Sequence, residues 1–228
     1  MKEPIKLKFS EKYDAEHSRQ YYLKHQDGFS RRMSHLREEQ LARKALKLAG
    51  EPLRVLDLPC GAGRFWPLLS ENPTRSIIAA DNSPHMLDVA RSVQDRDIVE
   101  RVETLHTSAF DIALPDNAVD TVFSIRLLHH IGQSAHRLAI LREFHRVAKE
   151  SVIVSLWVGG NFKALRRERS ERQRKLRRGG VGDEYQNRFV LPSAIVEQEF
   201  FQAGFKRYTK LDFIPYYSMW RVYVLHKS

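Results

Sequence analysis

The sequence predicts an α/β fold, a Rossmann-like doubly wound sheet with helices on both faces and an inserted basic arm. Three observations carry that expectation. Short apolar runs alternate with amphipathic stretches from residue 53 onward, the rhythm of parallel strands joined by crossover helices. A glycine-rich turn, Gly61-Ala62-Gly63, follows the first of those runs, and ligands of such sheets bind at the carboxyl ends of strands. At 228 residues the chain suits one large domain, since a single core stops growing near about 250–300 residues.

The elements follow in order. Met33, Leu36, Ala42, Ala45, Leu46 and Ala49 recur near a 3.6-residue period across 31–49, and Gly50 stops that helix. Residues 53–58 read as a buried strand, and 64–70 as a helix with Pro67 in its first turn. Residues 76–80 form the second strand. Asn82-Ser83-Pro84 supplies an N-cap and a first-turn proline for a helix reaching Gln94. Strands are expected at 102–106, 119–125 and 151–158, with a long helix over 133–149. After a helix at 191–203, ended by Gly204, residues 205–214 and 218–226 read as an antiparallel hairpin. The whole of 1–228 reads as a single domain, with 1–50 as an N-terminal helical lid and 159–190 as the basic insertion.

The charge is local. Of a formal +10, the stretch 161–178 holds +7, from nine Lys and Arg against Glu168 and Glu171. The flanking Gly179-Gly180-Val181-Gly182 reads as a hinge. An acidic partner should meet the chain at this arm, with an anionic membrane surface or RNA as candidates. The N-terminus, Met1-Lys2-Glu3-Pro4-Ile5-Lys6, lacks the apolar run of a secretory signal. No segment approaches the roughly 20 apolar residues of a membrane span. The lone Cys60 rules out an intrachain disulfide and a cysteine-rich metal site. These features lead to a cytoplasmic expectation. His136 and His145 lie nine apart on one helix, a helical face and not a metal pair, so no metal is expected.

The turn Asp57-Leu58-Pro59-Cys60-Gly61-Ala62-Gly63 is the candidate cofactor site. Its glycines let backbone bend tightly and approach a ligand. Dinucleotide sites use the same device, but their third glycine would fall at Trp66, where an indole would crowd a pyrophosphate. Asp57 would repel phosphates and suits a ligand bearing an ammonium and a sulfonium. Asp81 ends the second strand 18 residues after Gly63, placed to accept hydrogen bonds from ribose hydroxyls. Ser108-Ala109-Phe110-Asp111 follows the third strand, and Asp116-Asn117-Ala118-Val119-Asp120 leads through the fourth to Arg126, His129 and His130.

In order and spacing these four blocks resemble the class I S-adenosylmethionine (SAM)-dependent methyltransferases, especially the group that includes ubiquinone- and menaquinone-biosynthesis enzymes. The resemblance implies a seven-stranded sheet in the order 3-2-1-4-5-7-6 with strand seven antiparallel, and SAM as cofactor. It places Asp57, Cys60, Gly61 and Gly63 around the methionine part and Asp81 on the ribose. Asn82 and Met86 would flank adenine, and Ser108, Ala109 and Phe110 would read its edge. Arg126 completes the set of cofactor contacts. Two positions depart from the family pattern: Pro59 stands where glycine is usual, and Ser108 where Asp is usual, which passes the adenine amine to a neighbour such as Asp111.

Since the sulfonium is already activated, the protein must align a nucleophile and exclude water. His129 and His130 are the candidate catalytic bases. Tyr13 and Tyr22, with Tyr21, are candidates for a lid. Trp157 is expected to wall the acceptor pocket, with Tyr185, Tyr216 and Tyr217 as further candidates. The residues after the fourth strand, Ser124-Ile125-Arg126-Leu127, lack the Asp/Asn-Pro-Pro-aromatic block of base-amine methyltransferases. Cys60 follows the first strand, not the fourth, which argues against cytosine C5 chemistry. Three readings stay open: methylation of a small-molecule, phosphorylated or lipid-intermediate acceptor at O, N or C; RNA methylation using the arm for phosphate contacts; and a non-catalytic SAM-binding protein.

Overall fold

The computed structural model describes residues 29–177 and 188–228. Helix α1 (Phe29–Leu48) precedes strand β1 (Arg54–Asp57), the short α2 (Trp66–Leu69), β2 (Ser76–Asp81), α3 (Pro84–Val93) and α4 (Arg96–Val99). Then come β3 (Val102–His106), β4 (Val119–Ser124), a single 3-10 turn at Leu128–His130, α5 (Ser134–Val147) and β5 (Ala148–Trp157). The chain continues through α6 (Phe162–Arg177), α7 (Ser193–Gln202), β6 (Arg207–Asp212) and β7 (Trp220–His226).

The seven strands lie in the order β3-β2-β1-β4-β5-β7-β6. β1 to β5 run parallel, and β7 is antiparallel to both β5 and β6. Alternate side chains of each central strand enter opposite cores, as a two-residue period requires. Leu56, Val122, Val152, Val154, Tyr223 and Leu225 pack with Phe144 of α5 and Phe200 of α7. Val55, Phe123, Ile153, Val222 and Val224 pack with Leu41, Ala42 and Ala45 of α1. The near-continuous apolar runs are thus strands buried on both faces.

Most expected boundaries moved by one to three residues, and two of these shifts bear on the glycine turn. The helix over 64–70 shrinks to four residues, because Arg64 is drawn into an ion pair with Glu38 of α1. The helix expected to reach Gln94 stops at Val93; the Gln94 amide instead turns back and donates to the Ala62 carbonyl at 3.0 Å. No helix among the described residues is long and apolar enough to cross a membrane.

A buried ion pair fixes the turn after β4. Arg137 of α5 and Glu199 of α7 are each 3% exposed and meet through two bonds of 2.8 and 2.5 Å. The same guanidinium donates to the Ile131 and Gly132 carbonyls at 2.9 and 2.8 Å. This holds the segment that carries the histidine pair.

Candidate active site

The glycine turn is pinned by its neighbours in the sheet. The Leu58 N–H donates to the Phe123 carbonyl and the Cys60 N–H to the Ala80 carbonyl, at 3.0 and 2.8 Å. Gly61 and Gly63 have φ of +54° and +70°, the left-handed region that glycine occupies without steric cost. A Cβ on Gly63 would lie 2.8 Å from the Trp66 ring. The fully buried Trp66 therefore fills the space that a third glycine would leave open.

Asp57 is 2% exposed and its Oδ2 has no hydrogen-bond partner. Burial first and the Asp81 charge second push its carboxyl well up, with the nearby Trp66 indole opposing. An orphaned buried acceptor beside an open backbone turn fits a cationic group. Asp81, expected to accept hydrogen bonds from a ribose, also binds the turn itself. Its Oδ2 accepts the Gly61 N–H at 3.0 Å and its Oδ1 the Ser83 N–H at 2.9 Å. It organises the turn first, leaving its remaining lone pairs for a ligand. Burial raises its pKa as well.

Cys60 is buried, and burial pushes its thiol well up, so it packs as a small apolar residue. Met86 is buried with its Cε 3.6 Å from the position of a Gly61 Cβ, whereas Asn82 is exposed. Ser108 and Phe110 form a tight turn, the Ser108 hydroxyl accepting the Phe110 N–H at 3.2 Å. The half-buried Phe110 ring meets His136 edge-on.

Beyond β4 the chemistry changes to side chains. Arg126 has φ +68°, a strained conformation outside glycine that surrounding contacts must enforce. They do: its N–H donates to the Ser155 hydroxyl at 2.8 Å, and its guanidinium pairs with Glu38 at 2.6 Å. Its guanidinium carbon also sits 5.3 Å over the Trp220 ring. Arg126, expected among the cofactor contacts, is thus turned toward α1 and Trp220. Glu38 holds Arg64 at 2.6 Å with its other oxygen, so one carboxylate ties α1 to both the glycine turn and the end of β4.

His129 sits in an aromatic group. Its ring stacks on Trp157 at 5.1 Å, meets Trp220 edge-on at 4.9 Å and lies 4.1 Å from His130. Trp157 and Trp220 are cross-strand partners of β5 and β7. Arg167 of α6 and Arg188 cover Trp157 at 5.1 and 5.7 Å. Phe189 packs on Gly132, where a Cβ would come within 2.6 Å of its ring. The Nδ1 of His129 and the Nε1 of Trp157 are buried without hydrogen-bond partners. Burial, then His130, holds the His129 pKa down to about 2. A ring held neutral in this way accepts hydrogen bonds at neutral pH, a weaker base than an ordinary imidazole. His130 is half-buried beside it.

Trp157, expected to wall an acceptor pocket, is buried with its ring stacked on His129. Tyr216 and Tyr217 are exposed on the β6–β7 loop. Tyr13, Tyr21, Tyr22, Tyr185 and the hinge at 179–182 lie outside the described residues. Glu38, Gln94, Arg137 and Trp220 were missed, since their partners are far away in sequence and no local pattern marks them.

A family model described as "Methyltransferase domain" matches residues 56–156, the span from β1 to the end of β5. Over that span the chain is similar to the class I SAM-dependent methyltransferases. It is 30% identical over 112 residues to a tRNA U34 carboxymethyltransferase of Shewanella frigidimarina, covering 49% of this chain and 34% of that one. It is 31% identical over 100 residues to a demethylmenaquinone methyltransferase of Listeria welshimeri, covering 42% and 40%. The chain thus spans about a third to two-fifths of the length of these curated relatives. The fold matches magnesium protoporphyrin IX methyltransferase from Synechocystis, solved with bound S-adenosylhomocysteine, at TM-score 0.65, 16% identity and 89% of each chain. SAM is the cofactor that goes with this family, and the open turn with its orphaned Asp57 acceptor fits it.

Proposed function

We propose that this chain transfers a methyl group from SAM to a small organic acceptor lodged against the Trp157–Trp220–His129 group. The observation that carries this reading is adjacency. β1, ending in Asp57, is the hydrogen-bonded parallel neighbour of β4, with Asp57 opposite Phe123. The glycine turn and the aromatic group therefore open on the same carboxyl edge.

In this reading Asp57 meets the ammonium of the methionine part, and Cys60, Gly61 and Gly63 shape its cradle. Asp81 holds the turn and the ribose, Asn82 and Met86 flank adenine, and Ser108 to Phe110 border its edge. Bound SAM supplies an activated methyl group for in-line displacement. Trp157 and Trp220 position the acceptor and exclude water, and alignment of that kind contributes roughly 7–11 kcal/mol. The orphaned His129 Nδ1 accepts a hydrogen bond from the acceptor, and His130 is the candidate to take its proton. Tyr13 and Tyr22 remain candidates for a lid.

The demethylmenaquinone relative favours a lipid-intermediate acceptor. RNA is the second reading, favoured by the tRNA-modifying relative and by the cations of α6. A thermal-shift comparison of SAM, S-adenosylhomocysteine and NAD tests the cofactor role. We expect stabilisation by the first two; stabilisation by NAD alone would overturn the reading.

A further inference from the structure

The start of α6 and the β6–β7 loop come together in a way that neither segment announces alone. The Phe162 N–H donates to the Tyr216 carbonyl at 2.9 Å and the Lys163 N–H to the Tyr217 carbonyl at 3.1 Å. The first N–H groups of a helix have no partner inside it, so the loop supplies them. The Phe162 and Tyr217 rings then stack at 5.7 Å, and the Lys163 ammonium lies 5.1 Å over Tyr217. The tip is built, yet it is uncovered. Tyr216 is 90% exposed, and Ile214, Tyr217, Phe162 and Leu165 are between 43% and 56% exposed.

The helix continues that surface with charge. Ala164, Arg167 and Glu171 face the fold, Arg167 lying over Trp157. Phe162, Leu165, Arg166 and Arg169 recur at the spacing of one helical face, and all four are exposed. One outward face therefore carries an apolar end and a cationic body.

We propose that this tip docks on an anionic phospholipid surface. Tyrosine and phenylalanine settle at the level of lipid headgroups, and leucine and isoleucine reach the acyl boundary. Lys163, Arg166 and Arg169 then lie against the negative leaflet. An RNA partner fits less well: Leu165 and Ile214 offer no face for a base, and Phe162 and Tyr217 already stack on one another. The docking is independent of methyl transfer and needs no cofactor.

Co-sedimentation of the full chain tests it, using phosphatidylcholine vesicles with and without one part in four of phosphatidylglycerol. Binding should require phosphatidylglycerol and fade with salt. Tyr216 has φ +60°, so Tyr216→Gly removes the ring while relaxing the backbone, and it should weaken binding several-fold. Arg166→Ala and Arg169→Ala should each weaken it by about fivefold. No binding to phosphatidylglycerol vesicles overturns the proposal, as does binding that survives Tyr216→Gly combined with Arg169→Ala. Transfer RNA that binds through these residues and displaces the vesicles at lower concentration also overturns it, in favour of RNA. The SAM-induced thermal shift should be unchanged in every variant. A missing shift with vesicle binding intact counts against the cofactor reading and supports the docking.

Discussion

The two halves of the carboxyl edge are built by different means. On the β1–β3 side the turn is shaped by backbone: positive-φ glycines, amides held by Asp81, and a carbonyl held by Gln94. On the β4–β7 side the surface is made of side chains: two tryptophans and a buried histidine stacked together, with arginines over three aromatic faces. The difference teaches where specificity lives. A backbone cradle tolerates little change and suits one invariant ligand, whereas a side-chain chamber can be resized without moving the sheet.

The sharpest way to break that comparison is at Gly63. Gly63→Val forces a β-branched residue into the left-handed region, at about 1–2 kcal/mol. It also drives a Cβ into the Trp66 ring, an overpacking cost of about 1–3 kcal/mol. The variant should unfold at markedly lower temperature and lose its SAM response. A SAM titration and a melting curve check both.

Glu38→Gln comes next, because this carboxylate joins the two halves. It is 10% exposed and bridges Arg64 to Arg126. Removing its charge leaves two half-buried guanidiniums facing a neutral amide, a loss of about 1.5–3 kcal/mol for hydrogen bonds to charged groups. Urea denaturation measures the loss. If the two sides act separately, SAM binding will be unaffected; if α1 couples them, the SAM Kd will rise together with the loss of stability.

How much was legible follows the same division. The alternation of strands and helices and the glycine turn were readable because they are local signals, whereas the strand order followed only from the family resemblance. Gly61 and Gly63 take up the left-handed backbone that a tight turn demands, and Met86 approaches Gly61. The far side resisted, since its contacts join distant residues. Glu38 and Arg126 are 88 residues apart, and Arg137 and Glu199 are 62 apart. Arg126 carried no sign that it would adopt a positive φ, and Trp220 none that it would face Trp157 across β5 and β7. The stretch 161–178 was read for its charge alone, yet the β6–β7 loop brings Tyr216 and Tyr217 to its start.

The smallest expected effect tests the chamber itself. The His129 ring is held neutral by burial, with a pKa of about 2 against an ordinary value of 6.5. An unfolded chain protonates this ring as pH falls below 6.5, and the folded chain does not until about 2. The unfolded state therefore binds more protons across that window, and stability is lost as pH falls. Well inside the window the slope approaches about 1.4 kcal/mol per pH unit for this one group. His35, His145 and His226 are also lowered, first by burial, and they add to the acid sensitivity of the wild type. His129→Leu keeps the ring site apolar and removes one titrating group. Between pH 7 and pH 5.5 the variant should lose about 1 kcal/mol less than the wild type. Unfolding free energies at the two pH values decide the matter. Equal losses would mean that the His129 ring takes up its proton in the folded state, which would restore it as a base and recast the chamber as a polar one.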